Sequence, residues 1–449
     1  MQSTICALAS GQGGAVALVR LSGPRALDLL KSLTHKDDSF EPRRQTFCTI
    51  YDGEKVLDKA LVTYFKAPHS FTGEDVVEFA LHGSPYITGR LLELLCENGG
   101  TPAKRGEFSQ RAFLNGKMDL VEAQGLCDLI AAGNQAAHRL AMDSLGGKLS
   151  TRLNEMKTKL AELLAQIEVR LDDVDEEMPP LSPDFIRQEI STVLTHIKAL
   201  TDTFSVGRLI KDGLKVAIIG APNSGKSSLL NALVGFDRAI VTDACGTTRD
   251  TVEETLELNG QKIILTDTAG IRSHALDLAE QEGMRRSLRA MEKADVILLV
   301  LDTSRSVNDE EKKLWSDIQR AHKRTLLILN KADKSSHPSP DLPEIKNYTQ
   351  ITISCKKGTG LDELKKALTA PMSASARDGL MLSNLRHYES LLRAQTELES
   401  TLIQLDKQAG GEIQAEHIRL ALTHLKDLLG EVTPDDILGI IFSKFCMGK

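Results

Sequence analysis

Two stretches of this sequence carry residue types whose spacing can do chemistry. The first is GAPNSGKS, Gly220 to Ser227, which fits G-x-x-x-x-G-K-[ST] between an apolar run, KVAII, and the helix-forming run SLLNALVG. Its glycines let backbone N–H groups wrap phosphate oxygens at a helix N-terminus. Lys226 reaches the β and γ oxygens, and the Ser227 hydroxyl suits Mg²⁺. Asn223, Ser224, Gly225 and Ser228 complete the predicted loop. A glycine-rich strand–helix turn without a ligand is the plainer reading, and three further segments in the right order argue against it. Asp267-Thr268-Ala269-Gly270 ends a strand, with a carboxylate for the metal side and a glycine N–H for the γ-phosphate. Asn330-Lys331-Ala332-Asp333 ends another, and Asp333 can accept from guanine N1–H and the 2-amino group. Adenine offers neither donor, so this carboxylate selects GTP over ATP. Ser354-Cys355-Lys356 is predicted to close over the base.

The hydrolytic step lacks a familiar part. Many GTPases orient water with a Gln after D-x-x-G, and here that position is Ile271. Another carboxylate or amide must serve instead, and DLAEQEGMRR supplies Glu280 and Glu282 as candidates. Arg249 follows Thr248 and is read as holding the switch rather than as an arginine finger.

The second stretch is FSKFCMGK, with Cys446 four residues from the C-terminus. Gly and Lys are poor final residues for a prenylation box, and no polybasic segment supports an anchor. The thiol is then either an inert small apolar group or part of a ligand site beside Lys444 and Lys449, where cations favour thiolate.

The elements that must position these residues follow from pattern and composition. A chain of 449 residues exceeds one domain on the usual prior, and 41% hydrophobic content supports true cores. Aromatic residues make up only 4%, which disfavours broad base-stacking platforms, and a net charge of −7 announces no nucleic-acid partner. Seven cysteines without a CxxC pair predict a reducing, cytoplasmic setting, and no apolar run is long enough for a membrane span. Residues 1–118 mix β-branched runs with turns, an α+β pattern. Residues 119–210 and 372–449 carry apolar residues at three- and four-residue spacing, a split all-α helical domain. Residues 211–371 read as an inserted α/β P-loop domain, with near-continuous apolar strands and a hairpin closed at Asn259-Gly260. Ser182 is expected to cap a helix opening at Pro183, and Thr433-Pro434 to cap the last helix.

Asn223, the run TDACGTTRD, DTAGIR, NKAD and the terminal FCMGK together resemble the MnmE (TrmE) family of tRNA-modification GTPases. TICALAS, GGAVALVRLSGP, SFTGEDVVEF and RGEFSQRAFLNGKMDL extend that resemblance over the whole chain. It implies GTP hydrolysis stimulated by K⁺, with the cation held by Asn223 and the loop Thr242, Asp243, Ala244, Cys245, Gly246 and Thr247. Within that loop Thr242, Ala244 and Thr247 would be the ligands. It implies Mg²⁺ on Ser227 and Thr248, and Glu280 as the water-positioning residue, with Glu282 second. It also implies a homodimer that works with the flavoprotein MnmG on tRNA, adding a carboxymethylaminomethyl or aminomethyl group to C5 of the wobble uridine.

The family's N-terminal domain is similar to a tetrahydrofolate-binding fold, so 5-formyl-tetrahydrofolate or a related donor of the one-carbon unit is implied. Glu78 can accept from pterin N–H groups, and Arg20 and Lys117 suit an anionic folate tail, as does Lys449. By residue type alone Arg20, Glu78 and Lys117 would each more often be a surface or structural charge. Lys104, Arg105, Arg111 and Lys117 could meet tRNA phosphates or form a solvated basic face. A ribosome-assembly GTPase that binds rRNA is the rival reading; it would share the guanine motifs but neither end of the chain.

Overall fold

Period-two burial and period-3.6 burial alternate along this chain as the sequence requires, and each sorts into its own layer. The computed structural model describes residues 3–11, 13–36, 40–172, 178–179, 181–236, 254–266, 289–334, 348–375, 379–446 and 448. Contacts divide the chain into two units, one of Met1–Ile130, Met142–Thr195 and Ser390–Lys449, the other of Ala131–Ala141 and His196–Glu389.

In the first unit, β1 (Ile5–Leu8), β2 (Val16–Ser22), β3 (Gln45–Asp52), β4 (Lys55–Phe65), β5 (Val76–His82) and β6 (Thr101–Pro102) form one sheet in the order β3-β4-β5-β2-β1-β6. All pairs are antiparallel except β1–β6. One face is covered by α1 (Ala26–Thr34) and α2 (Pro85–Glu97), burying Val19, Leu21, Leu30, Val62, Phe79 and Leu91 together. Because side chains alternate, Arg20 and Glu78 point to the other face, where β2 and β5 set them directly opposite.

Past α3 (Glu107–Leu114), α4 (Leu120–Ala131) and α5 (Gln135–Leu145) the chain turns helical. The long α6 (Lys148–Leu171) begins a bundle that continues in α7 (Pro183–Thr201). Ser182 Oγ accepts from Phe185 N at 3.2 Å, the cap expected ahead of Pro183.

In the second unit, α8 (Phe204–Asp212) leads into β7 (Leu214–Ile219), α9 (Lys226–Phe236), β8 (Glu254–Leu258), β9 (Gln261–Thr266), β10 (Val296–Asp302), α10 (Asp309–Ala321), β11 (Arg324–Asn330), β12 (Thr349–Thr352) and α11 (Leu361–Ser375). The strands order as β12-β11-β10-β7-β9-β8, parallel except for the β8–β9 hairpin. Asn259 and Gly260 turn that hairpin with φ of 51° and 76°, the mirror-image turn that matches strand twist. Leu298, Val300 and Ile328 are buried on one face of this sheet and Ile297, Leu299 and Leu327 on the other, which explains the continuous apolar runs.

The chain then returns to the first unit through α12 (Leu385–Asp406), α13 (Gly411–Leu429) and α14 (Asp435–Ser443). α13 packs along α6, with Arg419–Glu168 and Lys157–Glu431 ion pairs on its flanks. α14 buries Leu438, Ile441, Phe442 and Phe445 against Leu120 and Ala123. One expectation fails here. Thr433 does not cap α14: its hydroxyl donates to the Asp427 carbonyl and carboxylate, at 3.0 and 2.9 Å, and Pro434 occupies the cap position. The hydroxyl closes the preceding turn instead, an alternative that threonine side chains commonly take.

Candidate functional site

The phosphate loop lies between β7 and α9, where the free N–H groups of a helix start face the loop. Its glycines answer to specific close approaches. A Cβ on Gly225 would stand 2.1 Å from Asn330 Nδ2, and one on Gly220 would stand 2.4 Å from the Val300 carbonyl. Gly225 also holds φ +100°, so both space and backbone demand glycine. Asn330 locks the loop, donating from Nδ2 to the Ser224 carbonyl at 3.1 Å and accepting from Cys355 N at 3.4 Å. The expected guanine segments are therefore joined to the phosphate loop through one buried amide.

Lys226 spans the loop, its ammonium donating to the Gly220 and Ala221 carbonyls at 2.7 and 2.8 Å. Burial lowers its pKa from the usual lysine value, outweighing the pull of Glu310 and Glu311. Asn223 holds a left-handed backbone (φ 61°), and its carbonyl accepts from Lys331 Nζ at 2.8 Å. Lys331 also pairs with Asp302 at 2.6 Å, so this lysine is a strut between β10 and the loop. The Asn223 side chain is exposed and has no partner among the described residues, leaving its amide oxygen available to a hard cation. The Ser224 hydroxyl is buried without a partner among those residues. Ser227 sits on the first turn of α9, followed by exposed Ser228.

On the base side, Ser354 Oγ donates to Asp333 Oδ1 at 2.5 Å, and this bond keeps the Asp333 pKa below the usual carboxylate range. The hydrogen bond aims the carboxylate and holds it ionised, the state that accepts from guanine. Ala332 and Asp333 lie in a short 3₁₀ turn whose backbone joins the end of β12, Ala332 N donating to Ile353 O at 3.2 Å. Burial pushes the Cys355 thiol up to about 11, so it is neutral at pH 7 and serves by shape. Lys356 is exposed beside it. Asp333→Asn exchanges this acceptor for an amide, which suits xanthine better than guanine. Competition binding is expected to show the preference for GTP over XTP lost, and an undiminished preference would contradict the role given to Asp333.

Thr242, Asp243, Ala244, Cys245, Gly246, Thr247 and Thr248 lie outside the described residues, as do Asp267, Thr268, Ala269, Gly270, Glu280 and Lys449.

In the other unit the segment after α14 runs onto the sheet. Gly106 N donates to the Cys446 carbonyl at 3.3 Å, and a Cβ on Gly106 would meet the Phe442 carbonyl at 2.3 Å. Gly448, with φ +81°, lies so close to β1 that a Cβ would meet the Leu8 carbonyl at 2.3 Å. Its own carbonyl accepts from Arg20 Nη1 at 3.4 Å. Two glycines thus bring the tail against the strands, with the Cys446 side chain exposed.

Arg20 is held from several sides. It pairs with Glu78 at 2.7 Å, and its guanidinium stands 5.6 Å from the Phe71 ring centroid and 5.8 Å from that of Phe108. Lys117 is exposed and lines a shallow depression of about 590 Å³ with Phe71, Arg43 and His69. Arg20, which is paired with Glu78, and Lys117 thus each neighbour Phe71, a residue within SFTGEDVVEF to which the motifs alone assign no role. Arg111 is corrected. Its guanidinium donates to Glu74, Glu107 and Ser3 and is buried, so it braces the fold and is not free for phosphate. Lys104 and Arg105 are exposed beside Gly106 and have no side-chain partner among the described residues.

Comparison with known proteins places the whole chain among relatives of one family. The family model "GTP-binding protein TrmE N-terminus" matches residues 4–117, and "MnmE helical domain" matches residues 120–446. The tRNA modification GTPase MnmE of Acinetobacter baumannii is 42% identical over 100% of this chain and 99% of its own. The protein of that name from Aquifex aeolicus is 39% identical over 100% of both.

Proposed function

The chain belongs to the MnmE family of tRNA-modification GTPases, and from that premise we propose that it couples GTP hydrolysis to modification of wobble uridine at C5. In this reading it works as a homodimer with the flavoprotein MnmG in the cytoplasm. It takes a one-carbon unit from a tetrahydrofolate and installs a carboxymethylaminomethyl or aminomethyl group. The division at residues 118, 210 and 371 into folate-binding, helical and GTPase domains belongs to the same reading.

The observation that supports it most is the docking of the tail on the Arg20–Glu78 face. A ribosome-assembly GTPase needs a guanine site but no cysteine beside a paired Arg–Glu on a separate sheet. Glu78 offers acceptors for pterin N–H groups, Phe71 a ring face, and Arg20, Lys117 and Lys449 the charge for a folate tail. Exposed Lys104 and Arg105, next to the Cys446 contact, suit tRNA phosphates.

On the nucleotide side, Asn223 with Thr242, Ala244 and Thr247 would hold K⁺, and Ser227 with Thr248 would hold Mg²⁺. A monovalent cation beside the phosphates supplies positive charge where no arginine finger is posed. In a mixture with the flavoprotein, GTP, tRNA and a one-carbon tetrahydrofolate, K⁺ is expected to support both hydrolysis and wobble-uridine conversion. Na⁺ is expected to support neither well, and association of the GTPase domains should follow K⁺. Equal hydrolysis in the two salts would sink the cation assignment, and unmodified uridine with hydrolysis intact would favour the rRNA-binding alternative.

A further inference from the structure

On the helix-covered side of the first unit's sheet, opposite the Arg20–Glu78 face, α2 stands away from β1 and β2 and leaves a crevice of about 650 Å³. Cys6, Leu8, Ala17, Gly89, Leu92 and Cys96 line it, and its surface is mostly apolar. The volume falls within the range of small-molecule sites. We propose that this crevice is a binding site for an uncharged, largely apolar small molecule.

Three observations carry the assignment. Gly89 lies in the interior of α2, where glycine is poorer than alanine, and a Cβ built on it meets nothing within 4 Å. No close approach demands this glycine, unlike Gly83, whose Cβ would collide with the Gly14 carbonyl. What its missing side chain does is leave the crevice open. The charges nearby are already spent: Glu93 at the rim pairs with Arg90, and Arg90 is also held by Asp52 and Glu97. A charged ligand would lose water here without gaining a partner.

Two thiols, Cys6 and Cys96, line it with sulfurs 4.0 Å apart, and the lining hydroxyls are engaged already, Ser10 Oγ accepting from Leu18 N and Thr88 Oγ1 donating to the Ser84 carbonyl. The Cys6 thiol donates onward to the Thr101 carbonyl at 3.6 Å, and burial with Cys96 beside it raises its pKa to about 12. Cys6 therefore presents a neutral, polarisable sulfur, suited to an apolar or aromatic body and not to an anion or a hard metal.

Prodan, an uncharged solvatochromic naphthalene, tests the site on the full-length chain. Wild-type protein is expected to bind it saturably with blue-shifted emission, and saturating prodan should slow N-ethylmaleimide modification of Cys96 several-fold. Cys96→Ser identifies that modified thiol. Gly89→Leu fills the crevice and is expected to weaken binding at least ten-fold. It should also raise Tm by about 2–4 °C, since a helix-favouring side chain enters open space. Leu92→Trp fills the same space from another position and is expected to weaken binding likewise. Wild-type affinity in both variants, or no saturable binding by the parent, overturns the proposal. So does binding that disappears as protein concentration rises, which would assign the crevice to a second copy of the chain.

Discussion

Cys446→Ser is expected to abolish wobble-uridine modification while GTP hydrolysis stays within about two-fold of the parent. The tail is anchored by groups other than this thiol: Phe442 and Phe445 are buried, Gly106 N holds the Cys446 carbonyl, and Gly448 packs on the Leu8 carbonyl. The serine hydroxyl nearly matches the thiol in size, and the side chain is exposed, so the substitution leaves that anchoring intact. What it removes is the nucleophilicity of sulfur. The described contacts of the tail are with Gly106, Leu8 and Arg20, none of them a residue assigned to the nucleotide, so the two activities should separate. The checks are nucleoside composition of tRNA and the GTPase rate of the same preparation. Deleting the last four residues should also abolish modification and additionally weaken folate binding, because the contact proposed for Lys449 would go. A charge-assisted hydrogen bond of that kind is worth about 1.5–3 kcal/mol. If modification persists in Cys446→Ser, the thiol is inert and the chemistry lies elsewhere.

Glu280→Ala should lower kcat for GTP hydrolysis by at least about 100-fold, a loss of roughly 2.7 kcal/mol in transition-state stabilisation, with little change in GTP affinity. Ile271 follows D-x-x-G and cannot orient water, so another side chain has to align the attacking water, and the family resemblance gives that role to Glu280. A group used mainly in the transition state leaves ground-state binding alone. Asn330, Lys331 and Asp333, the residues proposed to contact GTP, are fixed through their own bonds to Ser224, Asn223 and Ser354, so nucleotide affinity should survive. Stopped-flow binding and single-turnover hydrolysis measure the two quantities separately. If Glu282→Ala alone shows the loss, the water-positioning role moves two residues along DLAEQEGMRR.

The two sites differ in how far they could be read from residues alone. A phosphate loop is local: Gly220, Gly225 and Lys226 serve a helix start a few residues away, and their types declare the geometry. The Asn259-Gly260 turn was legible for the same reason, since only residues tolerant of positive φ fit it. The Arg20–Glu78 pair is of another kind. It depends on the register of β2 against β5, and nothing within either strand states which residue will stand opposite. Two charges assigned separately to a ligand prove to be partners of each other, with Phe71 and Phe108 beside them. Arg111 looked like one member of a basic run, and only its fold neighbours Glu74 and Glu107 reveal a buried brace. Thr433 likewise had the right type for a cap and spends its hydroxyl on Asp427. The crevice behind α2 left one trace in the sequence, a glycine inside a helical run, which is easily read as mere tolerance.

The most direct test of the account is mass spectrometry of tRNA nucleosides from cells lacking this chain, complemented with the parent or with Cys446→Ser. The account predicts that the C5 carboxymethylaminomethyl and aminomethyl uridines vanish on deletion, return with the parent and stay absent with Cys446→Ser. Wobble uridines that remain fully modified in the deletion strain would contradict it.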